Sequence, residues 1–423
     1  MKSGIRFKAA IRAASLLAAI SLAACGGGGG GGSSGSSSGS SSGGSSSGGA
    51  PAATLKILYS FTGSSTANGP PAEPAAALVL GSDGNFYGTT QNGGAAGSGT
   101  VFKITPAGVE TTLYSFNSIP DGQTPSGGLI QGPDGNFYGT TGIGGVNGVG
   151  TVYRISPTGV ESVLYSFSGL NGDGSDPETT LILGHDGNFY GTTYGGGTNG
   201  NGTVFKITPA GLETVLYAFT GSSGDGSGPG SALMLGSDGN FYGTTVAGGA
   251  NNAGTVFRIT PAGLETVLYS FPGSTSFDFP VSSALIQASD GNFYGTTFYG
   301  GANGNGTVFK ITPAGVETTL HSFGTNGDGK NPYSALIQGS DGNFYGTTAG
   351  GTIASGGTGN QIAGTVFKIT PAGVESVLYS FTGLNGDGDD PLAALVLGSD
   401  GNFYGTTLLG GTSFAGTVFK ITP

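Results

Sequence analysis

Asp83-Gly-Asn-Phe-Tyr-Gly-Thr-Thr90 is an octapeptide that this chain carries seven times. The copies begin at Asp83, Asp134, Asp186, Asp238, Asp290, Asp341 and Asp400. Consecutive copies start 51 to 59 residues apart, and a period of this size predicts one supersecondary unit stacked on copies of itself. Residues shared by every copy are therefore expected to be scaffold, and residues that depart from the repeat are the candidates for function.

The copy from Ala232 to Phe271 predicts four strands, because four runs of apolar, aromatic and β-branched residues are separated by turn signals. The strands are expected at 232–235, 241–245, 254–260 and 265–271. Asp-Gly at 238–239 and Pro-Ala-Gly at 261–263 favour tight turns between them. Four antiparallel strands in a unit of about 50 residues are typical of a β-propeller blade.

The two ends of the repeat region predict a closed ring. The run at 55–61 matches a fourth strand, whereas the last copy stops at Pro423, after its third strand. Joining the two in one blade gives seven complete blades with no unpaired edge at the junction. An open solenoid is the alternative, but it would need capping repeats. The expected fold is all-β: a seven-bladed propeller of four-stranded antiparallel blades over residues 54–423.

The N-terminal segment predicts a lipoprotein signal peptide over 1–24. A positively charged stretch precedes a short apolar run at 13–23, too short to span a membrane. The run ends in Leu22-Ala-Ala-Cys25, which resembles the bacterial lipobox and implies lipidation of Cys25. The alternative is a signal peptide with an incidental cysteine. Residues 26 to about 50 are almost all Gly and Ser, so 25–53 is expected to be a flexible tether.

The resemblance to lipoproteins implies a membrane partner, reached through the lipid anchor, and a place in the bacterial cell envelope. Gly26 after the cysteine favours the outer membrane in a cell that has two membranes. Signal cleavage would take the formal net charge from −11 to −15. Nucleic acid is not expected as a partner, because its binding depends on Lys and Arg neutralising phosphates.

Two repeated elements, DGNFYGTT and GTVFKITPAG, resemble the GloVer tandem repeats of the choice-of-anchor proteins. The resemblance covers residues from about 54 to 423. It implies a secreted or surface-tethered protein, which suits the lipobox. It implies no activity and no catalytic residues, so function has to be sought in departures from the repeat.

Tight turns and longer loops are expected on opposite ends of the blades. We call the end with the SDGN and TPAG turns the turn face. The end with the second-to-third loops and the blade-to-blade connections is the variable face, where function usually resides. Eleven acids outside repeated positions fall in these connections: Glu73, Asp121, Asp173, Asp176, Glu178, Asp225, Asp278, Asp328, Asp387, Asp389 and Asp390. Only Lys330 joins them, so this face is expected to be strongly acidic.

Seven aromatic residues also break the repeat, and all are expected at the variable face. They are Tyr194, Phe277, Phe279, Phe298, Tyr299, Tyr333 and Phe414. The sixth blade adds one long loop, 349–363. Aromatic faces beside carboxylates suit a sugar ring, so these residues are candidate ligand contacts for a glycan or protein partner. The alternative is that each ring packs beneath its own loop.

A calcium site is a second hypothesis for the variable face. Asn385, Asp387 and Asp389 alternate as in the start of a calcium-binding loop, and Asp173 stands in a weaker copy. Neither copy has the Gly at the sixth position or the Glu at the twelfth, so neither is an EF-hand. The motif Asp-Gly-x-x-Pro also recurs in five connections. A turn before the next blade is therefore the alternative to a Ca²⁺ site.

Catalysis has few candidate residues. His185 falls in a tight turn and His321 in an outer strand, and Cys25 is expected to be acylated. A Ser-His-Asp triad, a Cys-His pair and a His-ligated zinc site are thus not expected. The primary hypothesis is a non-enzymatic binding or scaffold module for a glycan, peptide or cation. The alternatives are a carboxylate-dependent hydrolase or lyase acting on an extracellular polysaccharide and a purely structural spacer.

Overall fold

The structure is a computed structural model that describes residues 53–63, 69–222, 224–273, 283–325, 327–350 and 363–423. The predicted signal peptide, Cys25 and nearly all of the predicted tether lie outside these residues, as do Phe277, Phe279, Asp278 and most of the loop 349–363. All regular secondary structure in the described ranges is β-strand, and these ranges contain no helix able to cross a membrane.

Seven four-stranded antiparallel sheets form the blades, which confirms the predicted propeller. The first strands are β3 (Val79–Leu80), β9 (Ile130–Gln131), β15 (Ile182–Leu183), β21 (Met234–Leu235), β26 (Ile286–Gln287), β30 (Ile337–Gln338) and β35 (Val396–Leu397). The second strands are β4 (Phe86–Thr90), β10 (Phe137–Thr141), β16 (Phe189–Thr193), β22 (Phe241–Thr245), β27 (Phe293–Thr297), β31 (Phe344–Thr348) and β36 (Phe403–Thr407).

The outer half of each blade follows the same order. The third strands are β6 (Thr100–Ile104), β12 (Thr151–Ile155), β18 (Thr203–Ile207), β24 (Thr255–Ile259), β28 (Thr307–Ile311), β32 (Thr365–Ile369) and β38 (Thr417–Thr422). The fourth strands are β7 (Glu110–Ser115), β13 (Glu161–Ser166), β19 (Glu213–Ala218), β25 (Glu265–Ser270), β29 (Glu317–Ser322), β33 (Glu375–Ser380) and, from the N-terminus, β1 (Thr54–Ser60).

The ring is closed by β1, as the sequence predicts. This strand pairs antiparallel with β38, and Leu55 lies opposite Ile421. The first and last blades also meet through their second strands, because the rings of Phe86 and Tyr404 are 4.2 Å apart. The ladder and the ring contact together join the two ends of the propeller.

The Phe-Tyr of the octapeptide explains how neighbouring blades pack. Tyr from each blade lies against Phe from the next, with ring centroids 4.0 to 4.3 Å apart. The pairs are Tyr87–Phe137, Tyr138–Phe189, Tyr190–Phe241, Tyr242–Phe293, Tyr294–Phe344, Tyr345–Phe403 and Tyr404–Phe86. Each such pair contributes about 0.5–1.5 kcal/mol beyond the burial of its area. The repeated aromatics therefore stabilise the scaffold.

The Asp-Gly-Asn turn is held by its own side chains. The backbone N–H of Asn188 donates to Asp186 Oδ1 at 3.1 Å, and the Tyr190 hydroxyl donates to Asp186 Oδ2 at 2.8 Å. Gly187 has a φ of 75°, which favours glycine. Burial raises the pKa of Asp186, but hydrogen bonds from Asn188 and Tyr190 outweigh it and leave the pKa below its usual value. The repeated Asp is thus part of the hairpin.

Side chains at the ends of third strands place both kinds of tight turn at one end of a blade. Lys420 Nζ lies 2.7 Å from Asp400 Oδ2, and the Thr422 hydroxyl donates to Asn402 Oδ1 at 2.6 Å. The end of the third strand therefore lies beside the Asp-Gly-Asn turn, as the definition of the turn face requires.

The first strands are shorter than predicted, with two residues each. In the fourth blade, the residues before β21 bond to two blades at once. The Thr192 hydroxyl of the preceding blade donates to the Ser231 carbonyl, and the Ser231 hydroxyl accepts from the Thr244 backbone N–H. The chain here links neighbouring blades, so the ladder begins only at Met234.

Small two-stranded sheets at the variable face are a feature that the sequence did not predict. They tie blade-to-blade connections to the chain after the second strands. The pairs are β2 (Gly69–Ala72) with β5 (Asn92–Gly94), β8 (Gly122–Gln123) with β11 (Ile143–Gly144), β14 (Gly174–Ser175) with β17 (Gly195–Gly196), β20 (Gly226–Ser227) with β23 (Ala247–Gly248), and β34 (Gly388–Asp389) with β37 (Leu409–Gly410). These sheets hold the connections that carry the candidate site residues.

Candidate functional site

The aspartate of Asp-Gly-x-x-Pro closes a turn at the end of a fourth strand. Asp173 Oδ2 accepts from the Ser168 backbone N–H at 2.7 Å and from the Ser168 hydroxyl at 2.8 Å. Its Oδ1 accepts from the Gly174 N–H at 2.7 Å. Asp387 makes the equivalent bonds to Thr382 and Gly388. This geometry favours the turn alternative for the motif, because the oxygens that would ligate Ca²⁺ already accept hydrogen bonds.

The other calcium candidates do not form a closed set of ligands. Asn385 has a φ of 56° and is exposed in the turn before Asp387. Asp389 is half-buried, and burial, followed by the charge of Asp387, raises its pKa. Within the described ranges, no three His, Cys, Asp or Glu side chains are grouped as metal ligands. The Ca²⁺ hypothesis therefore has no support from the geometry of these residues.

Four of the repeat-breaking aspartates lie near a glutamate of the next blade. Each glutamate begins a fourth strand, and burial, then the charge of the nearby aspartate, raises its pKa to about 7. The pairs are Glu161 with Asp121, Glu213 with Asp173, Glu265 with Asp225, and Glu375 with Asp328. In each pair the glutamate Oε1 is buried, without a hydrogen-bond partner in the described part of the chain. These pairs belong to blade interfaces.

The expected open acidic surface is accordingly smaller than the sequence suggests. Asp121 and Asp328 are each only 7% exposed, and the other described acids of this set are half-buried. Asp390 has the most strongly shifted pKa of these acids. Burial, followed by the charge of Asp389, raises this pKa to about 7. The sequence could assign these acids to connections, but not the direction in which each carboxylate points.

Three of the seven repeat-breaking aromatics come together between the fifth and sixth blades. Phe298 follows β27, and its ring lies 4.7 Å from that of Tyr299 and 5.9 Å from that of Tyr333, in edge-to-face geometry. Tyr333 belongs to the connection before β30. All three rings are half-buried, so part of each remains accessible. We call Phe298, Tyr299 and Tyr333 the aromatic cluster.

The backbone around the aromatic cluster is fixed by polar contacts. The Asn331 amide donates to the Phe298 carbonyl at 2.8 Å, and Asn331 has a φ of 58°. The Thr297 hydroxyl donates to the Tyr299 carbonyl at 2.7 Å. The Asn331 bond joins the two blades and the Thr297 bond holds the chain after β27 within the fifth blade, so the backbone of the cluster is preorganised.

The remaining aromatic candidates are placed differently. Tyr194 occupies the position in the third blade that Phe298 occupies in the fifth. Its pKa is raised by burial and then by the charges of Glu178 and Asp176, so this ring does lie beside carboxylates. Phe414 has a φ of 57° and is 51% exposed in the loop before β38.

His321 is a residue that the sequence reasoning set aside. Its Nε2 lies 3.1 Å from Asp328 Oδ2, and both line a cavity of about 400 Å³ together with Thr325, Glu375 and Val377. A signal was present in the sequence, since the other six fourth strands carry Tyr at this position. The substitution shortens the side chain at one blade interface.

Residues 31–236 and 229–423 match the family model of the Gloeobacter/Verrucomicrobia repeat. No curated protein matches the chain in sequence. Among solved structures, it is similar to the extracellular domain of a proposed one-component system from B. thetaiotaomicron, with 11% identity and a TM-score of 0.53 over 85% of this chain and 39% of the other. The extracellular domain of a proposed hybrid two-component system from the same organism is similar too, with 12% identity and a TM-score of 0.54 over 88% and 41%. The chain spans about two fifths of each, and the likeness is one of fold.

Proposed function

The chain belongs to the Gloeobacter/Verrucomicrobia repeat family, and we propose that it is a lipid-anchored, non-enzymatic binding propeller of the bacterial cell envelope. Lipidation of Cys25 would tether it, with the outer membrane as the expected site. Several acyl chains on one residue would give stable anchoring, where a single chain would give only marginal binding. The ligand would bind at the variable face.

The observation that carries the binding proposal is the aromatic cluster. Three side chains that break the repeat contact one another across two blades, and their rings are partly accessible. Half-exposed rings held by a rigid backbone can stack on the apolar face of a sugar. We therefore propose a glycan as the ligand class, with a peptide as the outcome to be distinguished by experiment.

The carboxylates near the variable face favour some classes of glycan over others. Tyr194 lies beside Glu178 and Asp176, and Asp389 and Asp390 lie in another connection of this face. A polyuronate would be repelled by these carboxylates, whereas neutral or amino sugars would not. The hydrolase alternative is less favoured, because Asp121, Asp173, Asp225, Asp328 and Asp387 accept hydrogen bonds within turns.

Binding of defined oligosaccharides to the full-length protein tests this proposal. Cellohexaose, xylohexaose, chitohexaose, its deacetylated form and a polygalacturonate oligomer would be titrated by calorimetry. We expect a neutral or amino oligosaccharide to bind, and both Phe298→Ala and Tyr333→Ala to weaken it about tenfold or more, since a lost stacking partner costs roughly 1–3 kcal/mol.

The matched control is Phe414→Ala, which removes an exposed aromatic elsewhere on the variable face. It should leave the affinity unchanged. Binding of none of the five probes would overturn the glycan assignment. Binding that survives both cluster variants would overturn the site, and product release during titration would replace a binding module with a hydrolase.

A further inference from the structure

The cavity between the fifth and sixth blades lies at a departure from the repeat that the aromatic cluster does not involve. His321, Thr325 and Asp328 line it from the fifth blade and the connection that follows, and Glu375 and Val377 line it from the sixth blade. Its volume of about 400 Å³ falls within the range of roughly 300–1,000 Å³ that small-molecule sites have. Val377 is 37% exposed, so the cavity lies next to solvent.

A tyrosine occupies the equivalent place at the other blade interfaces. Between the second and third blades, the Tyr165 hydroxyl donates to Asp173 Oδ2 at 3.2 Å. Burial, followed by the charges of Asp173 and Glu213, raises the pKa of Tyr165, so its hydroxyl lies near both carboxyl groups. One blade later, the Tyr217 hydroxyl donates to Asp225 Oδ2 at 3.1 Å. The repeat thus fills this part of the interface with a phenol group.

His321 keeps the ring packing of that tyrosine but not its length. The imidazole lies edge-to-face against Phe323 with ring centroids 4.8 Å apart, as the Tyr165 ring lies against Phe167 at 5.1 Å. Its Nε2 is 3.1 Å from Asp328 Oδ2, so the contact with the aspartate is kept too. Because an imidazole is shorter than a phenol, the substitution leaves room beside these contacts, and the cavity lies there.

The two carboxyl groups that line the cavity differ in their partners. Asp328 Oδ1 accepts from the backbone N–H groups of Gly324 at 3.0 Å and Thr325 at 2.8 Å, so its own turn holds it. Glu375 Oε1 is buried and has no hydrogen-bond partner among the described residues, and no described Lys or Arg lines the cavity. Buried carboxylates are normally paired with a cation or with donors. A ligand for this cavity should therefore carry a positive charge.

We propose that this cavity binds a small organic ammonium compound, whose N–H groups donate to the Glu375 carboxylate while a short apolar part rests on Val377. An ammonium group carries three donors and no acceptor, and its bonds to a carboxylate are charge-assisted. A metal ion fits less well, because no three His, Cys, Asp or Glu side chains in the described ranges are grouped as ligands. The inference does not depend on the glycan site, since no residue of the aromatic cluster lines the cavity.

Titration with propylammonium tests the site, and 1-propanol is the matched neutral compound. The full-length protein would carry ¹³C-labelled histidine and be studied by NMR with a chelator present. The chain has two histidines, so His185 in an Asp-Gly-Asn turn serves as an internal reference. We expect propylammonium to shift the His321 signal saturably, with a Kd of about 10 mM or below, and to leave His185 unchanged. Propanol should bind at least about tenfold more weakly, because it lacks the charge-assisted bond.

Three substitutions complete the design, with binding followed by saturation transfer to the ligand. Glu375→Gln removes the carboxylate, and His321→Tyr refills the cavity with the residue that the other six blades carry. Both should weaken propylammonium binding at least about tenfold while the fold is kept. The matched control is Glu213→Gln, which changes the same repeat position at an interface that retains its tyrosine, Tyr165. It should leave the affinity unchanged.

Each contrary outcome removes a different part of the proposal. No saturable shift of His321, or equal binding of propylammonium and propanol, would show that the cavity holds only water and would overturn the ammonium site. Undiminished binding to His321→Tyr would overturn the assignment to this cavity. Weaker binding to Glu213→Gln would show that the acidity of the whole chain attracts the cation, and it would refute a specific site as well.

Discussion

Raising the pH from 5 to 8.5 should destabilise the propeller, and Glu213 is the residue on which this is best tested. Its carboxyl lies at the interface with the preceding blade, near Asp173 and the Tyr165 ring. Burial, followed by the charge of Asp173, raises its pKa from 4.5 to about 7. A raised pKa favours the protonated form in the fold. The stability that the protonated Glu213 carboxyl contributes is therefore fully present below pH 4.5 and is lost as the pH rises through about 7.

The magnitude follows from the size of the pKa change. A rise from 4.5 to about 7 would correspond to about 3 kcal/mol for a fully desolvated group. Glu213 is half-buried, so solvent screening reduces this to about 1 kcal/mol. Glu161, Glu265 and Glu375 share the arrangement, which brings the total to about 4 kcal/mol between pH 5 and 8.5. The turn aspartates have lowered pKa values, so they do not titrate in this range.

Urea denaturation at pH 5 and pH 8.5 measures the effect. Glu213→Gln should match the wild type at pH 5 and exceed its free energy of unfolding by about 1 kcal/mol at pH 8.5, because the ionised carboxylate is gone. The control is Glu110→Gln. In the connection before its blade, Pro70 occupies the position of Asp173, and the Glu110 carboxylate accepts bonds from Thr112 and Tyr59. Burial raises the pKa of Glu110 too, but the bonds from Thr112 and Tyr59 oppose this rise and no nearby aspartate adds to it. Glu110→Gln should therefore gain less stability at pH 8.5 than Glu213→Gln does. Wild-type protein that is more stable at pH 8.5, or Glu213→Gln with unchanged pH dependence, would refute the reasoning.

Three further outcomes are expected from the packing. Tyr153→Phe should raise the free energy of unfolding by about 1 kcal/mol, because the buried Tyr153 hydroxyl has no hydrogen-bond partner among the described residues and the other blades carry Phe there. Tyr190→Phe should lower it by about 1 kcal/mol, since the Tyr190 hydroxyl donates to Asp186; the same sign for both variants in urea titrations would contradict this account. Asp387→Ala should lower the melting temperature in Ca²⁺ and in chelator alike, whereas a loss confined to Ca²⁺ would restore the calcium hypothesis.

The blades could be predicted from the sequence because the same strand and turn signals recur in seven copies, and the closed ring could be predicted from the two ends of the repeat region. Asp-Gly-Asn fixed the first hairpin, and the unmatched fourth strand at 55–61 indicated closure through β1. The two-residue first strands could not be predicted in this way. Their shortness arises from bonds such as that between Thr192 and Ser231, which join residues of different blades.

The candidate site was only partly predictable, since departures from the repeat identify residues but not their neighbours. Phe298 and Tyr333 are 35 positions apart, and only the packing of two blades brings their rings together. The sequence predicts Asp328 as an exposed acid in a connection. In the structure it is buried, and its Oδ1 accepts a hydrogen bond from the Thr325 backbone N–H. His321 replaces a tyrosine in an outer strand, and the cavity it lines follows from contacts across a blade interface.

Hydrogen–deuterium exchange of the full-length protein, with and without saturating chitohexaose and xylohexaose, tests the central claim most directly. The account predicts slower exchange of the backbone amides of Phe298, Tyr299, Asn331 and Tyr333, where the aromatic cluster joins the fifth and sixth blades. Amides of Thr105 and of residues 107–109 in the turn should exchange at the same rate with and without oligosaccharide. Protection confined to the turn face, or bound oligosaccharide without protection at the cluster, would contradict a binding site on the variable face.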